Sequence, residues 1–177
     1  MRRRAISASI YLSFAFSVLL FACSTEPEWH TVDINSRVSL SIPHGFELSS
    51  TPNTHALAHY EDTMHSLFLM IIPESKDTMK AYELDYNLST YFDQVCADLL
   101  SKLSGGKISG IRAEKIGAAS GFRGSILGTS GKNTVCYEIA AIESAKQYYQ
   151  VITAFPAEDS VKYKVQMQKV ISSFKEL

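Results

Sequence analysis

The chain has 177 residues, is 46% hydrophobic and 20% charged, and carries a formal charge of −1. A chain of this size closes one core, burying about 70% of its unfolded surface, so neither a metal nor a dense disulfide framework is required. Setting aside Arg2, Arg3 and Arg4 makes the remainder more acidic by three charges, which leaves no clustered basic footprint for nucleic acid.

Those three arginines are followed by a stretch, residues 5–22, that is apolar apart from Ser7, Ser9, Ser13 and Ser17. A basic start, an apolar run and a small residue before a polar turn describe a secretory signal, with the basic flank kept in the cytoplasm. Leu20-Phe21-Ala22-Cys23 resembles the bacterial lipobox. That resemblance implies removal of residues 1–22, acylation of Cys23 with palmitate-type chains, and the membrane as a partner through the lipid. Two alternatives stand beside it: an uncut anchor, since about eighteen apolar residues just reach spanning length, and ordinary cleavage that leaves Cys23 a plain thiol. Residues 23–30 then form the lipidated cysteine and a tether with a reach of about 15 to 20 Å, and residues 31–177 form a single domain.

With Cys23 acylated, Cys96 and Cys136 remain as a pair in an oxidising compartment. They form a disulfide or serve as two separate buried thiols, the common use of free cysteine.

Residues 31–42 alternate polar and apolar on a period of two. Val32 and Ile34, then Val38, Leu40 and Ile42, read as a hairpin turning at Asn35-Ser36. Pro43 ends the second strand. Residues 55–60 and 66–72 flank a hairpin tip at 61–64. The continuous apolar run 67–72 predicts a strand covered on both faces and stopped by Pro73. The longest helix follows: Leu88, Tyr91, Phe92, Val95, Leu99, Leu100 and Leu103 recur at helical spacing. Asn87 and Ser89 both suit its N-cap, a start near Thr78 is the alternative, and Ser104-Gly105-Gly106 is expected to end it.

The second half predicts a strand meander over 111–116, 121–129, 134–143 and 147–155. In the third run Val135, Tyr137, Ile139 and Ala141 share one face. Cys136, Ala140 and Ile142 share the other, with Glu138 its lone charge. Pro156 opens a closing helix with Glu158 and Asp159 in its first turn, Lys175 at its end, and Tyr163, Met167, Val170, Ile171 and Phe174 as its buried stripe. Strands, helix, meander and helix make an α+β fold: a mainly antiparallel sheet sandwiched between helices.

Three segments carry a wider resemblance: Ser41-Ile42-Pro43-His44-Gly45-Phe46; Leu88-Ser89-Thr90-Tyr91-Phe92-Asp93-Gln94-Val95; and Tyr149-Gln150-Val151-Ile152-Thr153-Ala154-Phe155-Pro156 running into Ile171-Ser172-Ser173-Phe174-Lys175. The chain resembles the PsbP-like sandwich family, which includes the extrinsic photosystem subunit and bacterial lipoproteins of the DcrB type. The resemblance implies non-enzymatic accessory or assembly work at a membrane and supplies no catalytic residue.

Motifs for chemistry are sparse. Gly106-Lys107 and Gly131-Lys132 lack the residues of a phosphate loop, and Gly117-Ala118-Ala119-Ser120-Gly121 has its serine one place late for a nucleophile elbow. No cofactor is expected. One cluster has metal-ligand chemistry: His55, His59 and Glu61 share a face of an extended strand, and His65 approaches across the hairpin tip, a set suited to zinc or copper. A solvated hairpin end is the alternative. The function expected is a lipid-anchored, non-enzymatic accessory module that binds another envelope protein or helps assemble one. The alternative is a carrier or sensor of a small apolar ligand in a helix–sheet cleft lined by Tyr91, Phe92, Tyr148 and Tyr149.

Overall fold

Residues 27–51 and 53–177 are described by a computed structural model; Cys23 and the expected signal segment, residues 1–22, lie outside them. The elements are β1 (Trp29–Ile34), β2 (Val38–Pro43), β3 (Glu47–Leu48), β4 (Ala58–Asp62), β5 (Leu67–Ser75), α1 (Lys76–Ala81) and α2 (Leu88–Leu100). There follow β6 (Ser104–Ile116), β7 (Ala119–Ser130), β8 (Asn133–Glu143), β9 (Gln147–Pro156), a 3-10 turn (Ala157–Asp159), α3 (Ser160–Ser172) and β10 (Lys175–Glu176). Among the described residues, seven strands form one antiparallel sheet in the order β3-β4-β5-β9-β8-β7-β6, and β1-β2-β10 form a small second sheet.

Strand alternation sorts the core into two layers. On one face Leu67, Leu69, Ile71, Ala140, Ile142, Val151 and Phe155 meet Tyr163, Met167, Val170 and Ile171 of α3, together with Val38, Leu40 and Ile42 of the small sheet. On the other face Ile126, Ile139, Ala141 and Tyr148 meet Tyr91, Phe92, Val95 and Cys96 of α2 and Met79 of α1. Each fully buried large apolar side chain contributes about 1.5–3 kcal/mol, so both layers matter to stability.

The α+β sandwich is as expected from sequence; several details differ. Asn35 and Ser36 take φ of 53° and 52°, the geometry of a primed hairpin turn. The hairpin does not join the main sheet, however, because its second strand pairs with β10 at the other end of the chain. Trp29 and His30, assigned to the tether, pair with Pro43 and Ile42. Pro73 does not stop β5: it pairs with Tyr149 beyond the last β4 pairing at Ile71, where β5 has a neighbour on one side only.

Asn87 is the cap of α2, its side chain accepting from Thr90 N at 2.9 Å, and the segment around Thr78 is the separate short helix α1. Ser101 donates to Asp98 O at 2.7 Å where α2 closes, and Gly105-Gly106 belongs to a register shift at the start of β6. Lys175 lies in β10, opposite Ser39, and Lys169 is the cation of the last helical turn.

Candidate functional site

A helix about 10 Å wide covers two or three strands spaced about 4.8 Å apart, so one helix cannot cover a face of seven. α2 packs over β6, β7 and β8. The run 67–72 therefore does not have both faces covered, contrary to the sequence reading. Leu67, Leu69 and Ile71 are buried in the core on the α3 side, whereas Phe68 is 41% exposed and Met70 and Ile72 are half-buried on the opposite face. Phe68 stands beside Ala154 of β9, and Met70 between His59 of β4 and Ile152 of β9. The His59 ring lies 6.5 Å from that of Phe68. The result is an open apolar shelf. At its end a groove of about 710 Å³ is walled by Ser66, Phe68, Lys132, Val135 and Pro156.

The α3 side holds the opposite kind of surface, a buried ionic band. Arg123 of β7 pairs with Glu114 of β6 at 2.8 Å, and Glu114 also holds Arg112 at 2.9 Å. The Arg123 Nε–H is not aimed squarely at the carboxylate, so this contact is an ion pair more than a hydrogen bond. Arg123 reaches α3 as well, donating to Ser172 Oγ at 2.9 Å. Burial lowers its pKa, against the opposing pull of Glu114. Glu138 of β8 accepts from Ser125 at 2.7 Å and from Gln168 of α3 at 3.0 Å, with Lys164 at 3.8 Å. Both of its oxygens are engaged, so the band fastens helix to sheet. A hollow of about 350 Å³ beside it is lined by Ser125, Leu127, Cys136, Glu138, Val161 and Lys164.

The proposed metal ligands do not converge. His55 sits in the turn before β4, its backbone N–H donating to Asn53 Oδ1 at 2.9 Å. His59 and Glu61 face the open shelf, opposite Met70 and Phe68. His65 goes the other way: its Nδ1 is 2.7 Å from Oδ2 of Asp62, a buried strand position, and its ring is 6.1 Å from that of Tyr163 on α3. The period of two that groups His59 with Glu61 puts Asp62, and with it His65, on the far face. Among the described residues no three His, Cys, Asp or Glu side chains come together to hold a metal.

Cys96 packs with α2 on one face and Cys136 against the core of the other, so the sheet stands between two free thiols. Burial, with Asp93 adding to it, pushes the Cys96 thiol up to about 12. Burial raises Cys136 as well, against the pull of Lys164. Cys23 lies outside the described residues. The aromatic cleft is split in the same way. Tyr91, Phe92 and Tyr148 share the α2 face, with Tyr91 and Tyr148 stacked at 4.4 Å, while Tyr149 lies on the α3 face and donates to Glu176 at 2.9 Å. The rings fill the space between helix and sheet with one another. A hollow of about 160 Å³ beside Tyr148 is lined by Lys76, Met79 and Tyr86.

Sequence reasoning missed Arg123, Glu114 and Gln168. A usable signal was present: Glu138 is the lone charge on its face of β8, and Ser125 stands directly opposite it on β7, two residues from Arg123. Polar side chains at adjacent positions of a covered face imply a band that satisfies itself.

No protein-family model matches the chain, and no curated protein matches it in sequence. Solved structures do. Cyanobacterial PsbP (CyanoP) from Synechocystis sp. PCC 6803 is similar with a TM-score of 0.62 at 11% identity, over 90% of this chain and 99% of that one. LpqN, involved in cell envelope biogenesis of Mycobacterium tuberculosis, is similar with a TM-score of 0.57 at 11% identity, over 86% and 87%. A protein of unknown function from Pseudomonas aeruginosa is similar with a TM-score of 0.52 at 9% identity, over 82% and 95%. The sheet with its two helical layers is the PsbP-like sandwich, and the chain has that fold.

Proposed function

We propose that the chain is a lipid-anchored accessory module of a bacterial cell envelope, which holds another envelope protein on its open sheet face and catalyses no reaction. The observation that carries this reading is the shelf around Phe68: an inner strand whose first six residues are all apolar, with one face left open. Exposed contiguous apolar surface on a sheet that is otherwise well packed is the usual mark of an interaction site. The ionic band is consumed by its own members, which argues against a reaction centre there. The leader ending at Cys23 supports the location, and the likeness to LpqN, involved in cell envelope biogenesis, agrees with it.

The test is a photo-crosslinking side chain placed at Phe68 in cells, with the exposed Tyr82 as control. The reading expects a discrete covalent adduct from position 68 that is absent from position 82. No adduct at 68, or the same adducts at both sites, would contradict it.

A further inference from the structure

The outer face of α3 is unusual for a domain with a slight excess of acid. Val161 is 95% exposed and Val165 71%. They lie one turn apart, and the same row continues to Lys169. Lys162 and Lys164 flank it, both exposed, and no Asp or Glu occurs within the helix. The nearest acids along the chain, Glu158 and Asp159, belong to the turn before it. Lys164 approaches Glu138 at 3.8 Å while staying half in solvent. The row ends at Trp29, whose ring centroid is 4.2 Å from Lys169 Nζ. Trp29 is the single tryptophan of the chain and opens β1, so the backbone leads from this end of α3 toward Cys23. The five residues between them, residues 24–28, make six Cα–Cα steps and span about 20 Å at full extension.

We infer that α3 rests on an anionic phospholipid surface as a second contact beside the anchor. This inference rests on acylation of Cys23. Val161 and Val165 enter the interface, Lys162, Lys164 and Lys169 reach lipid phosphates, and Trp29 sits at headgroup depth, where its amphipathic ring is favoured. One observation, together with the proposed acylation of Cys23, selects lipid over protein as the occupant. The helix face is cationic with no acid of its own, complementary to anionic headgroups. A chain acylated at Cys23 also holds this helix end close to the bilayer.

Trp29 reports the contact directly. The full processed chain is mixed with phosphatidylcholine vesicles, with or without phosphatidylglycerol, that carry headgroup spin labels, and flotation and Trp29 quenching are measured. The expected result is flotation on both, with quenching about twofold greater on the anionic vesicles and the excess lost at high salt. The excess is also expected to vanish in a Lys162→Glu, Val165→Ser variant, which keeps Lys169 beside the Trp29 ring. Equal quenching on both vesicles, or an unchanged variant, overturns the α3 contact while flotation on neutral vesicles keeps the anchor. Flotation on anionic vesicles alone overturns the anchor, and with it the inference that α3 is a second contact beside one. Flat quenching together with in-cell crosslinks from position 165 to a protein would assign this face to a protein and overturn the inference.

Discussion

Arg123 Nε lies 2.8 Å from Glu114 Oε1 with the Arg123 side chain 4% exposed, and the same guanidinium donates to Ser172 on α3. One buried cation thus joins two strands to the closing helix. Removing it leaves Glu114 with Arg112 as its remaining cation, at 2.9 Å. Arg123→Met is expected to destabilise the fold by about 2–3 kcal/mol in urea unfolding. That is below the ~3–5 kcal/mol of a fully buried pair, because Glu114 is 26% exposed and water reaches it. Glu138→Gln keeps the shape and one of the two acceptor oxygens and is expected to cost less than Arg123→Met.

Gly117, in the turn between β6 and β7, has φ of 59°, and a Cβ there would lie 2.5 Å from Phe174 O. Gly131, in the next hairpin, has φ of 61° with open space around it. Gly117→Ala therefore bears a clash in addition to the left-handed backbone penalty. It should cost about 2 kcal/mol or more, against about 1 kcal/mol for Gly131→Ala. Thermal melts of the two variants check the order.

The two thiols make a chemical probe of the sheet. A barrier of packed strands between Cys96 and Cys136 predicts identical gel mobility of reduced and unreduced protein. Half-buried Cys136 should react with a thiol reagent before buried Cys96, which should react only on unfolding. Faster migration of the unreduced protein would contradict the placement.

Alkaline pH should loosen the fold. The Cys96 thiol is pushed up to about 12 from 9.0 by burial and then by Asp93. The Tyr149 phenol is pushed up to about 12 from 10.0 by burial and by Glu176, which accepts its hydrogen bond. Between the unfolded and folded values the native state binds more protons, so stability falls as pH rises. Both contributions are complete below pH 9 and are lost toward pH 12. Urea midpoints across that range should decline, and Tyr149→Phe should flatten the upper part of the decline.

Much of this fold is legible in residue spacing. The stripe Tyr163, Met167, Val170 and Ile171 and the two faces of β8 read directly from helical and strand periods, whereas Phe174, read as part of the same stripe, is buried beyond the end of α3. What does not read is extent. The run 67–72 looks like a doubly covered strand, yet the width of α2 against seven strands leaves Phe68 in the open, and no local pattern encodes that width. The His55, His59, Glu61 and His65 cluster fails for a related reason. Parity fixes the faces along β4, but the hairpin tip carries His65 to Asp62 on the far side. Partnership between distant segments is equally hidden: β2 pairs with β10 across nearly the whole chain.

Phe68 is the residue whose loss should separate stability from interaction. Phe68→Ser is expected to change unfolding free energy by no more than about 1 kcal/mol, since the ring is half in solvent. The same variant should weaken capture of the partner by tenfold or more, the usual effect of losing a central aromatic anchor.

The account depends most on where the mature chain begins and what its first side chain carries. Intact mass spectrometry of the protein from membranes measures both. The expected mass is that of residues 23–177 with acyl chains at Cys23, and the Cys23→Ala variant should lose the acyl mass and leave the membrane fraction. An unmodified thiol at Cys23, a mass that includes residues 1–22, or a Cys23→Ala variant that still fractionates with membranes would contradict it.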